Sequence, residues 1–556
     1  MASFNHRKYP AFQPVRLTAR RWPDATITAA PTWCSVDLRD GNQALIEPMT
    51  AAQKSRLYDQ LVRVGFKEIE VGFPSASSHD FDFLRDLIDN DRVPDDVTLQ
   101  VLTQARPELI EKTFEALKGA KRAILHVYNS TSTVQREKVF KLDPEGIIKI
   151  AVDGARMVKE YAEKHPETEW VFEYSPESFT GTEIDYAVDV CNAVIDVWEP
   201  TPDHKVIINL PATVEMSTPN VYADQIEYFC DRINRRDSIL VSTHTHNDRG
   251  CAVAAAELAV MAGADRVEGT LFGNGERTGN MDILTMAMNL YSQGVDPALN
   301  FERMDEIIQT YKDCTQMPVH PRHPYAGELV FTAFSGSHQD AIKKCLDTRD
   351  DAEPWEVAYL PIDPADIGRS YQEVVRINSQ SGKGGIAYVL DRDYGLQLPR
   401  WLQIDFSSAV QRHAEKTESE VAPEDIWDLF QATYFTEAGP WRLGNYQVNR
   451  EDGQDKLQAD LIKDGISHAL SGQGAGVVEA FVNAMEGFVG KSIVLVEYSE
   501  HALSHSADAE AICYIQLNIE GERVCGVGRS ADIIQASLDG ILGAINCAVR
   551  SEVRAA

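Results

Sequence analysis

Two histidines separated by one residue, His244 and His246, follow an apolar run, Ser238–Val241, that predicts a β-strand. In an extended strand residues i and i+2 point to the same side, so both imidazoles can face one point at the strand's end. Far away in the sequence, Trp33–Leu38 is a second strand-like run, closely followed by Asp40. Two imidazoles and one carboxylate form a three-ligand site for a divalent cation, with open positions for a substrate. In the alternative interpretation, the histidines only cap local carbonyl groups.

The composition is that of a globular protein of two or three domains, because 556 residues exceed one ordinary core. The chain has 53 basic and 85 acidic residues, a net charge of -32, which argues against a nucleic-acid partner. No apolar run approaches the length of a membrane span, and the N-terminus lacks the apolar core of a secretory signal. Nine cysteines without a CxxC pair indicate reduced thiols, so we expect a cytoplasmic protein.

From residue 33 to about 272, short apolar runs alternate with amphipathic helical patterns. Eight such strands joined by helices predict a (β/α)8 barrel. An open, doubly wound sheet is the alternative, but the chain has no glycine-rich dinucleotide turn. The predicted strands are Trp33–Leu38, Glu68–Gly72, Thr98–Leu102, Ala123–Val127, Trp170–Tyr174, Val206–Leu210, Ile239–Thr243 and Arg266–Leu271.

Polar side chains stand at the C-terminal ends of most of these predicted strands. A barrel assembles its active site at that face, because every strand ends there and every following loop can contribute. Each residue alone could be a helix cap, but a chance convergence of the whole set is much less expected. The set comprises Arg39, Asp40, Thr103, Gln104, His126, Ser175, Glu177, Asn209, Thr213, His244, His246 and residues 274–280.

After the barrel, predicted for residues 1–325, the pattern becomes rich in turns and predicts a linker region of small helical subdomains over residues 326–440. Residues 441–556 contain a weak internal repeat of three strands and a helix. Two βββα units predict an α+β module, either a regulatory domain that binds a small ligand or a dimerisation domain without one.

Three motifs resemble the signatures of the metal-dependent acyl-CoA condensing enzymes: Leu38–Gln43, His244–Gly250 and Gly273–Asn280. That group contains 2-isopropylmalate, homocitrate and citramalate synthases and, more remotely, 3-hydroxy-3-methylglutaryl-CoA lyase. The segments Tyr174–Glu183 and Asn378–Gly385, with the C-terminal repeat, resemble the 2-isopropylmalate synthase branch in its longer bacterial form. The similarity covers nearly the whole chain. The chain departs from the expected pattern between the two histidines, where threonine replaces proline, so loop rigidity can differ while the side chains keep their parity.

The resemblance implies condensation of acetyl-CoA with 3-methyl-2-oxobutanoate, followed by hydrolysis of the thioester to 2-isopropylmalate. It implies a divalent cation on Asp40, His244 and His246, with Asn280 as a further ligand or near neighbour. Mixed nitrogen and oxygen ligands suit Mg²⁺, Zn²⁺ or Mn²⁺, and Mg²⁺ is the ion expected in the cell. Activation by K⁺ is also known in such enzymes, but no motif of this chain carries it.

The resemblance also assigns roles to individual residues. Arg39 would stabilise the enolate formed from acetyl-CoA, and its alternative role is an ion pair with a neighbouring carboxylate. The candidates for proton transfer are Glu177 and His338, assisted by Tyr371. His338 lies outside the barrel, so it would act only on a neighbouring subunit, which implies a homodimer with interlocked linkers. The substrate carboxylate would be held by three further residues, each of which could equally be structural: His126, Ser175 and Thr213.

Leucine, the end product of the implied pathway, is the effector expected at the C-terminal module. There Gly474 and Gly476, in a loop predicted to open a helix, could present backbone N–H groups to a carboxylate. An ordinary glycine-rich helix start is the alternative.

Three rival functions remain at this point: a condensing enzyme for another 2-oxo acid, such as homocitrate or citramalate synthase, a lyase that cleaves the C–C bond, and a non-catalytic scaffold. The regulatory repeat disfavours the lyase, and the intact metal motif disfavours the scaffold.

Overall fold

The computed structural model describes residues 5–333, 335–350, 352–369, 383–417, 421, 423–435, 439–503 and 510–555. The chain divides into two compact units, which we describe separately. The first comprises Met1–Val330 and Ala365–Arg369, and the second comprises Phe331–Pro364 and Ser370–Ala556. The predicted boundaries at residues 325 and 440 remain predictions.

The first unit is built on a closed barrel of eight parallel strands in sequence order, in which the first strand also pairs with the eighth. The predicted barrel is therefore confirmed, and the open sheet is excluded. Most strands begin where the apolar runs begin, and several extend further at the C-terminal end. The strands are β1 (Thr32–Ser35), β2 (Glu68–Gly72), β3 (Thr98–Gln104), β4 (Arg122–Ser130), β5 (Glu169–Glu177), β6 (Val206–Ala212), β7 (Ile239–Thr245) and β8 (Arg266–Gly269).

A helix follows each strand, as a right-handed parallel barrel requires. Local sequence sets the helix ends: Thr50 and Gln53 form a capping box at the start of the first helix, and Gly65, with a φ of 114°, ends it. The helices are α1 (Ala51–Val64), α2 (Ser78–Asp89), α3 (Pro107–Leu117), α4 (Pro144–Lys164), α5 (Ile184–Trp198), α6 (Pro219–Arg232), α7 (Ala252–Met261), α8 (Ile283–Tyr291) and, after the barrel, α9 (Met304–Thr315).

The end of the first strand differs from the prediction. β1 stops at Ser35 rather than at Leu38, and Asp37–Gly41 forms one wide helical turn. The buried carboxylate of Asp37 causes the difference, because it accepts hydrogen bonds from Ser35 Oγ at 2.8 Å and from the backbone N of Leu271 at 3.1 Å. This turn carries Arg39 and Asp40 at the C-terminal end of the barrel.

The second unit begins with helices and ends with two βββα repeats, which confirms the α+β module. The helices are α10 (Gly336–Thr348), α11 (Lys383–Tyr394), α12 (Arg400–Thr417) and α13 (Pro423–Tyr434). The first repeat contains β9 (Arg442–Glu451), β10 (Gln454–Lys463), β11 (Ile466–Gly474) and α14 (Val477–Val489), and the second contains β12 (Ile493–Ala502), β13 (Ala511–Ile519), β14 (Glu522–Ser530) and α15 (Ile533–Ala555). Each repeat forms its own antiparallel three-stranded sheet.

The two glycines proposed for the effector site differ in their surroundings, and only Gly474 serves packing. Gly474 is the last residue of that strand rather than part of a loop, and a Cβ there would lie 2.6 Å from the backbone N of Ala480 in α14. Gly476 is the N-cap of α14, and a Cβ there would meet nothing within 4 Å. The strand can therefore approach the helix closely because Gly474 and Gly472, which would place a Cβ against the backbone O of Ala480, both lack side chains. Among the described residues, no helix has both the length and the apolar character needed to cross a bilayer.

Candidate metal centre

Three residues with metal-ligating side chains converge at the C-terminal end of the barrel: Asp40, His244 and His246. One ligand atom from each lies within 4.8 Å of the others, and all three residues are buried. His244 lies on β7 and His246 just after it, and their ring centroids are 5.2 Å apart. Asp40 comes from the turn after β1, and its Oδ2 is 3.6 Å from Nε2 of His244. The three groups therefore surround one point, as a tridentate metal site requires.

Asn280 lies within the same cluster. Its Oδ1 is 3.0 Å from Nε2 of His244, and its Nδ2 donates to Oδ2 of Asp40 at 2.6 Å. Backbone pairing holds it there, because Asn280 forms an isolated β-bridge with His246. The hydroxyl of Thr245, between the two histidines, donates to the backbone O of Ala252 at 3.0 Å. This bond tethers the segment in which proline was expected.

A buried carboxylate on β8 orients the first histidine. Oε2 of Glu268 lies 2.8 Å from Nδ1 of His244, so the other ring nitrogen faces the cluster. Burial disfavours charge on this imidazole, but the neighbouring carboxylates of Asp40 and Glu268 outweigh burial and raise the pKa of His244 to about 10. A carboxylate behind a metal-ligating histidine is the usual support for such a ligand.

The hydrogen bonding and protonation of His246 also fit a bound metal ion. Nδ1 of His246 is buried and has no hydrogen-bond partner in the part of the chain that the structure describes. Burial, followed by the nearby charge of His244, lowers the pKa of His246 to about 4, so its imidazole is neutral at neutral pH. A neutral, unpartnered, buried imidazole beside a carboxylate fits a divalent cation, because metal ligation requires the unprotonated ring.

Arg39 connects the cluster to a second buried carboxylate. Its Nη1 lies 2.5 Å from Oδ1 of Asp40, and its Nε pairs with Oε1 of Glu70 on β2. Burial alone would raise the pKa of Asp40, but the charges of Arg39 and His244 hold it well below its ordinary value. Asp40 is therefore ionised, and the guanidinium is fixed on two sides beside the candidate metal site.

A cavity of about 1220 Å³ opens over these residues. Arg39, Asp40 and both histidines line it, together with Glu177 at the end of β5. Ser130 Oγ donates to Oε2 of Glu177 and fixes this carboxylate at the cavity wall. The space and its charged groups suit a polar small molecule bound next to a cation.

The three predicted substrate residues also line this cavity. His126 and Ser175 are joined by a bond of 2.7 Å between Nε2 and Oγ, and Asn209 Nδ2 donates to the same hydroxyl at 3.0 Å. The hydroxyl oxygen of Thr213 accepts from the backbone N of Ser178 at 2.9 Å, which leaves its O–H able to donate. The hydroxyl of Thr213 can therefore donate to an anionic substrate, and that of Ser175 can do so when it accepts from Nε2 of His126.

The two remaining predicted catalytic residues, His338 and Tyr371, belong to the second unit of the chain. His338 lies on α10 in the second unit, where its ring stacks on Tyr359 with centroids 3.9 Å apart. Tyr371 and residues 378–382 of the Asn378–Gly385 motif lie outside the described residues. The roles of His338 and Tyr371 therefore stay predictions.

Sequence reasoning missed the buried carboxylates Glu70 and Glu268, which support Arg39 and His244 from inside the barrel. The available signal was a charged residue at every second position of an apolar strand, as in Glu68-Ile69-Glu70 and Arg266-Val267-Glu268. Such alternation places both charges of a strand on one face, here the barrel interior.

Three protein-family models match successive parts of the chain. Residues 30–310 match the model described as HMGL-like, which spans half of the chain and includes the whole barrel. Residues 328–391 match the alpha-isopropylmalate synthase post-catalytic domain, and residues 420–549 match the LeuA allosteric (dimerisation) domain. The barrel with its buried candidate metal site defines an HMGL-like enzyme.

Relatives of similar length are more specific. The chain is 54 % identical over 542 residues to a 2-isopropylmalate synthase of Ralstonia pickettii (strain 12J), an alignment that covers 97 % of this chain and 95 % of the relative. It is 55 % identical over 551 residues to a 2-isopropylmalate synthase of Parafrankia sp. (strain EAN1pec), covering 98 % and 97 %. The chain belongs to the 2-isopropylmalate synthase family.

Proposed function

We propose that the protein condenses acetyl-CoA with 3-methyl-2-oxobutanoate and hydrolyses the resulting thioester, giving 2-isopropylmalate and free CoA, the first committed step of leucine biosynthesis. The observation that carries this proposal is the convergence of Asp40, His244 and His246 beside Arg39 in one cavity. This arrangement provides what the chemistry needs: a site for a 2-oxo acid next to a cationic group that faces a thioester oxygen. Membership of the family supplies the identity of the substrates.

Asp40, His244 and His246 would hold a divalent cation, with Asn280 next to it. When bound, the cation polarises the ketone of the 2-oxo acid as a Lewis acid and fixes its orientation. The donor set of one carboxylate and two imidazoles accepts Mg²⁺, Mn²⁺ or Zn²⁺, and we propose Mg²⁺ as the ion used in the cell. Activation by K⁺ stays a prediction.

Arg39 would stabilise the enolate oxygen that develops when the acetyl methyl group loses a proton. Its side chain is only 11 % exposed, so few water molecules weaken its field. The ion pairs with Asp40 and Glu70 hold the guanidinium before the substrate arrives, and this avoids a cost of reorganisation during the reaction.

Proton transfer would begin at Glu177, because its carboxylate lines the cavity and is fixed by Ser130. The carboxylate accepts the methyl proton, the resulting carbanion attacks the ketone carbon, and the new alkoxide takes up a proton. Water then attacks the thioester carbonyl and CoA leaves as the thiol. We propose His338 and Tyr371 of the other subunit of a homodimer for the later proton transfers.

Ser175 and Thr213 would donate to the carboxylate of the 2-oxo acid, and His126 would take part by orienting the hydroxyl of Ser175. The matched C-terminal domain supports regulation by leucine and dimerisation. We place the effector in residues 441–556, near Gly474 and Gly476. Deletion of these residues is expected to abolish inhibition by leucine, and inhibition that persists would move the effector site elsewhere.

The test of the proposed function is release of CoA thiol from acetyl-CoA, screened over pyruvate, 2-oxobutanoate, 3-methyl-2-oxobutanoate and 2-oxoglutarate. We expect the highest kcat/KM with 3-methyl-2-oxobutanoate and a product with the mass of isopropylmalate. Removal of divalent cations with a chelator should stop turnover, and adding Mg²⁺ or Mn²⁺ back should restore it. A clear preference for pyruvate or 2-oxoglutarate would assign the protein to citramalate or homocitrate synthesis instead.

A further inference from the structure

One neutral side chain lies in the middle of the charged barrel interior. Gln100, on β3, is fully buried, and it does not line the substrate cavity. Its Nε2 donates to Oε2 of Glu70 at 2.8 Å and to Oε1 of Glu268 at 3.0 Å. A single amide thus bridges two carboxylates that belong to β2 and β8, on either side of β1.

Each of these carboxylates uses its other oxygen for the active site. Glu70 pairs through Oε1 with Arg39, and Glu268 contacts Nδ1 of His244 through Oε2 at 2.8 Å. Because a carboxylate is planar and rigid, holding one oxygen restricts the directions that the other can take. Together with His126 and Arg266, the amide of Gln100 therefore helps to orient the carboxylates that support Arg39 and His244.

The orientation of the amide is itself fixed. Its Oε1 accepts from Nη2 of Arg266 at 2.6 Å, and Arg266 is fully buried. A flipped amide would direct its oxygen at two carboxylates and its N–H groups at a guanidinium, which has only donors. The amide is thus locked between one cation and two anions.

We propose that Gln100 is a positioning residue that couples Arg39 to the metal ligands by holding Glu70 and Glu268 in one arrangement. The alternative is that Gln100 is a hydrogen-bonded core residue whose loss affects only stability. This role rests on the proposed function, since it assigns Gln100 to the same site. It concerns the metal site directly, however, so part of its test does not require turnover.

Gln100→Met is the most informative substitution, because it keeps the length and volume of the side chain and removes the amide. Neither carboxylate is left without a partner: Oε2 of Glu70 still lies 3.1 Å from Nδ1 of His126, and Oε1 of Glu268 still accepts from Arg266 at 2.8 Å. We therefore expect a folded protein. Gln225→Met is the matched control, because Gln225 is a buried glutamine on α6 that does not line the cavity.

The experiment measures Mn²⁺ affinity by calorimetry, kcat and KM by thiol release, and the melting temperature, all in the full-length protein. We expect Gln100→Met to lower both Mn²⁺ affinity and kcat by ~10–100-fold, the usual effect of losing support for a metal ligand. The KM for acetyl-CoA should change by less than about twofold, because Gln100 does not reach the cavity. Gln225→Met should leave affinity and kcat unchanged.

The proposal is overturned if Gln100→Met binds Mn²⁺ and turns over like Gln225→Met, or if its losses are explained by a lower melting temperature alone. If Gln100→Met does not fold, Gln100→Asn decides the matter, because it keeps an amide but retracts it by one methylene group and cannot reach both carboxylates. Mn²⁺ affinity of folded Gln100→Asn equal to the parent's would also refute the role. A parent enzyme that binds Mn²⁺ but condenses none of the 2-oxo acids would count against the proposed function, and the Mn²⁺ titrations would still decide the role of Gln100.

Discussion

Substitution of Arg39 by lysine tests the proposed chemistry most directly. The guanidinium uses two of its nitrogens at once: Nη1 lies 2.5 Å from Oδ1 of Asp40, and Nε pairs with Glu70. A lysine ammonium is a single point on a differently shaped side chain, so it can neutralise one carboxylate but cannot span both. Arg39→Lys keeps the positive charge, so a loss of activity reports the missing guanidinium geometry rather than the loss of a buried cation.

The expected loss follows from the role of this group. Removing one preorganised donor from a developing oxyanion costs about 10²–10³ in kcat, or ~3–4 kcal/mol. A loss in this range is expected here, because the Arg39 side chain is only 11 % exposed and water cannot readily replace it. Mn²⁺ affinity should change much less than kcat, since Asp40, His244 and His246 all remain.

Two assays separate enolate formation from the complete reaction. Thiol release gives kcat and KM, and exchange of the acetyl-CoA methyl hydrogens with deuterated water reports enolate formation without the second substrate's chemistry. Both rates should fall together in Arg39→Lys, while the melting temperature stays close to that of the parent. A kcat within about threefold of the parent's, in a folded variant, would refute stabilisation of the enolate by Arg39.

Three further predictions concern other parts of the chain. His246→Ala should lower Mn²⁺ affinity by more than ~100-fold and stop turnover, because it removes a ligand rather than a supporting group; retained turnover would contradict the metal site. Gly474→Ala should lower the melting temperature of the C-terminal module by more than Gly476→Ala, since only the first Cβ would collide with α14, whereas the second change replaces only an N-cap residue. Burial raises the pKa of Glu257, so its ionisation opposes folding and stability falls as pH rises above the ordinary glutamate range. Glu257→Gln should therefore raise the melting temperature at pH 7 by ~1–3 °C and not at pH 4, and an equal change at both pH values would exclude the charge as the cause.

The barrel and the convergence of the candidate metal ligands could be predicted from the sequence because both depend largely on local patterns. Apolar runs identify strands, and parity places His244 and His246 on one side of a strand end. The turn after β1 could not be predicted, because Asp37 ends the strand through a bond to Leu271, more than 230 residues away. Contacts between distant segments leave no local pattern in the chain.

The charged interior was harder to predict for a related reason. Glu70, Gln100 and Glu268 lie within strands, where a sequence alone favours apolar residues on a buried face. Their burial makes sense only once all eight strands surround them and each charge has a partner.

The candidate metal ligands lie just after the first strand and at the end of the seventh, in a ring that closes when β8 pairs with β1. More than two hundred residues separate Asp40 from His244 and His246 in the sequence. The three side chains can therefore meet only after the seventh strand has been synthesised. A divalent cation held by these residues would stabilise the closed barrel, because it would bind only the arrangement in which both ends of the barrel have met.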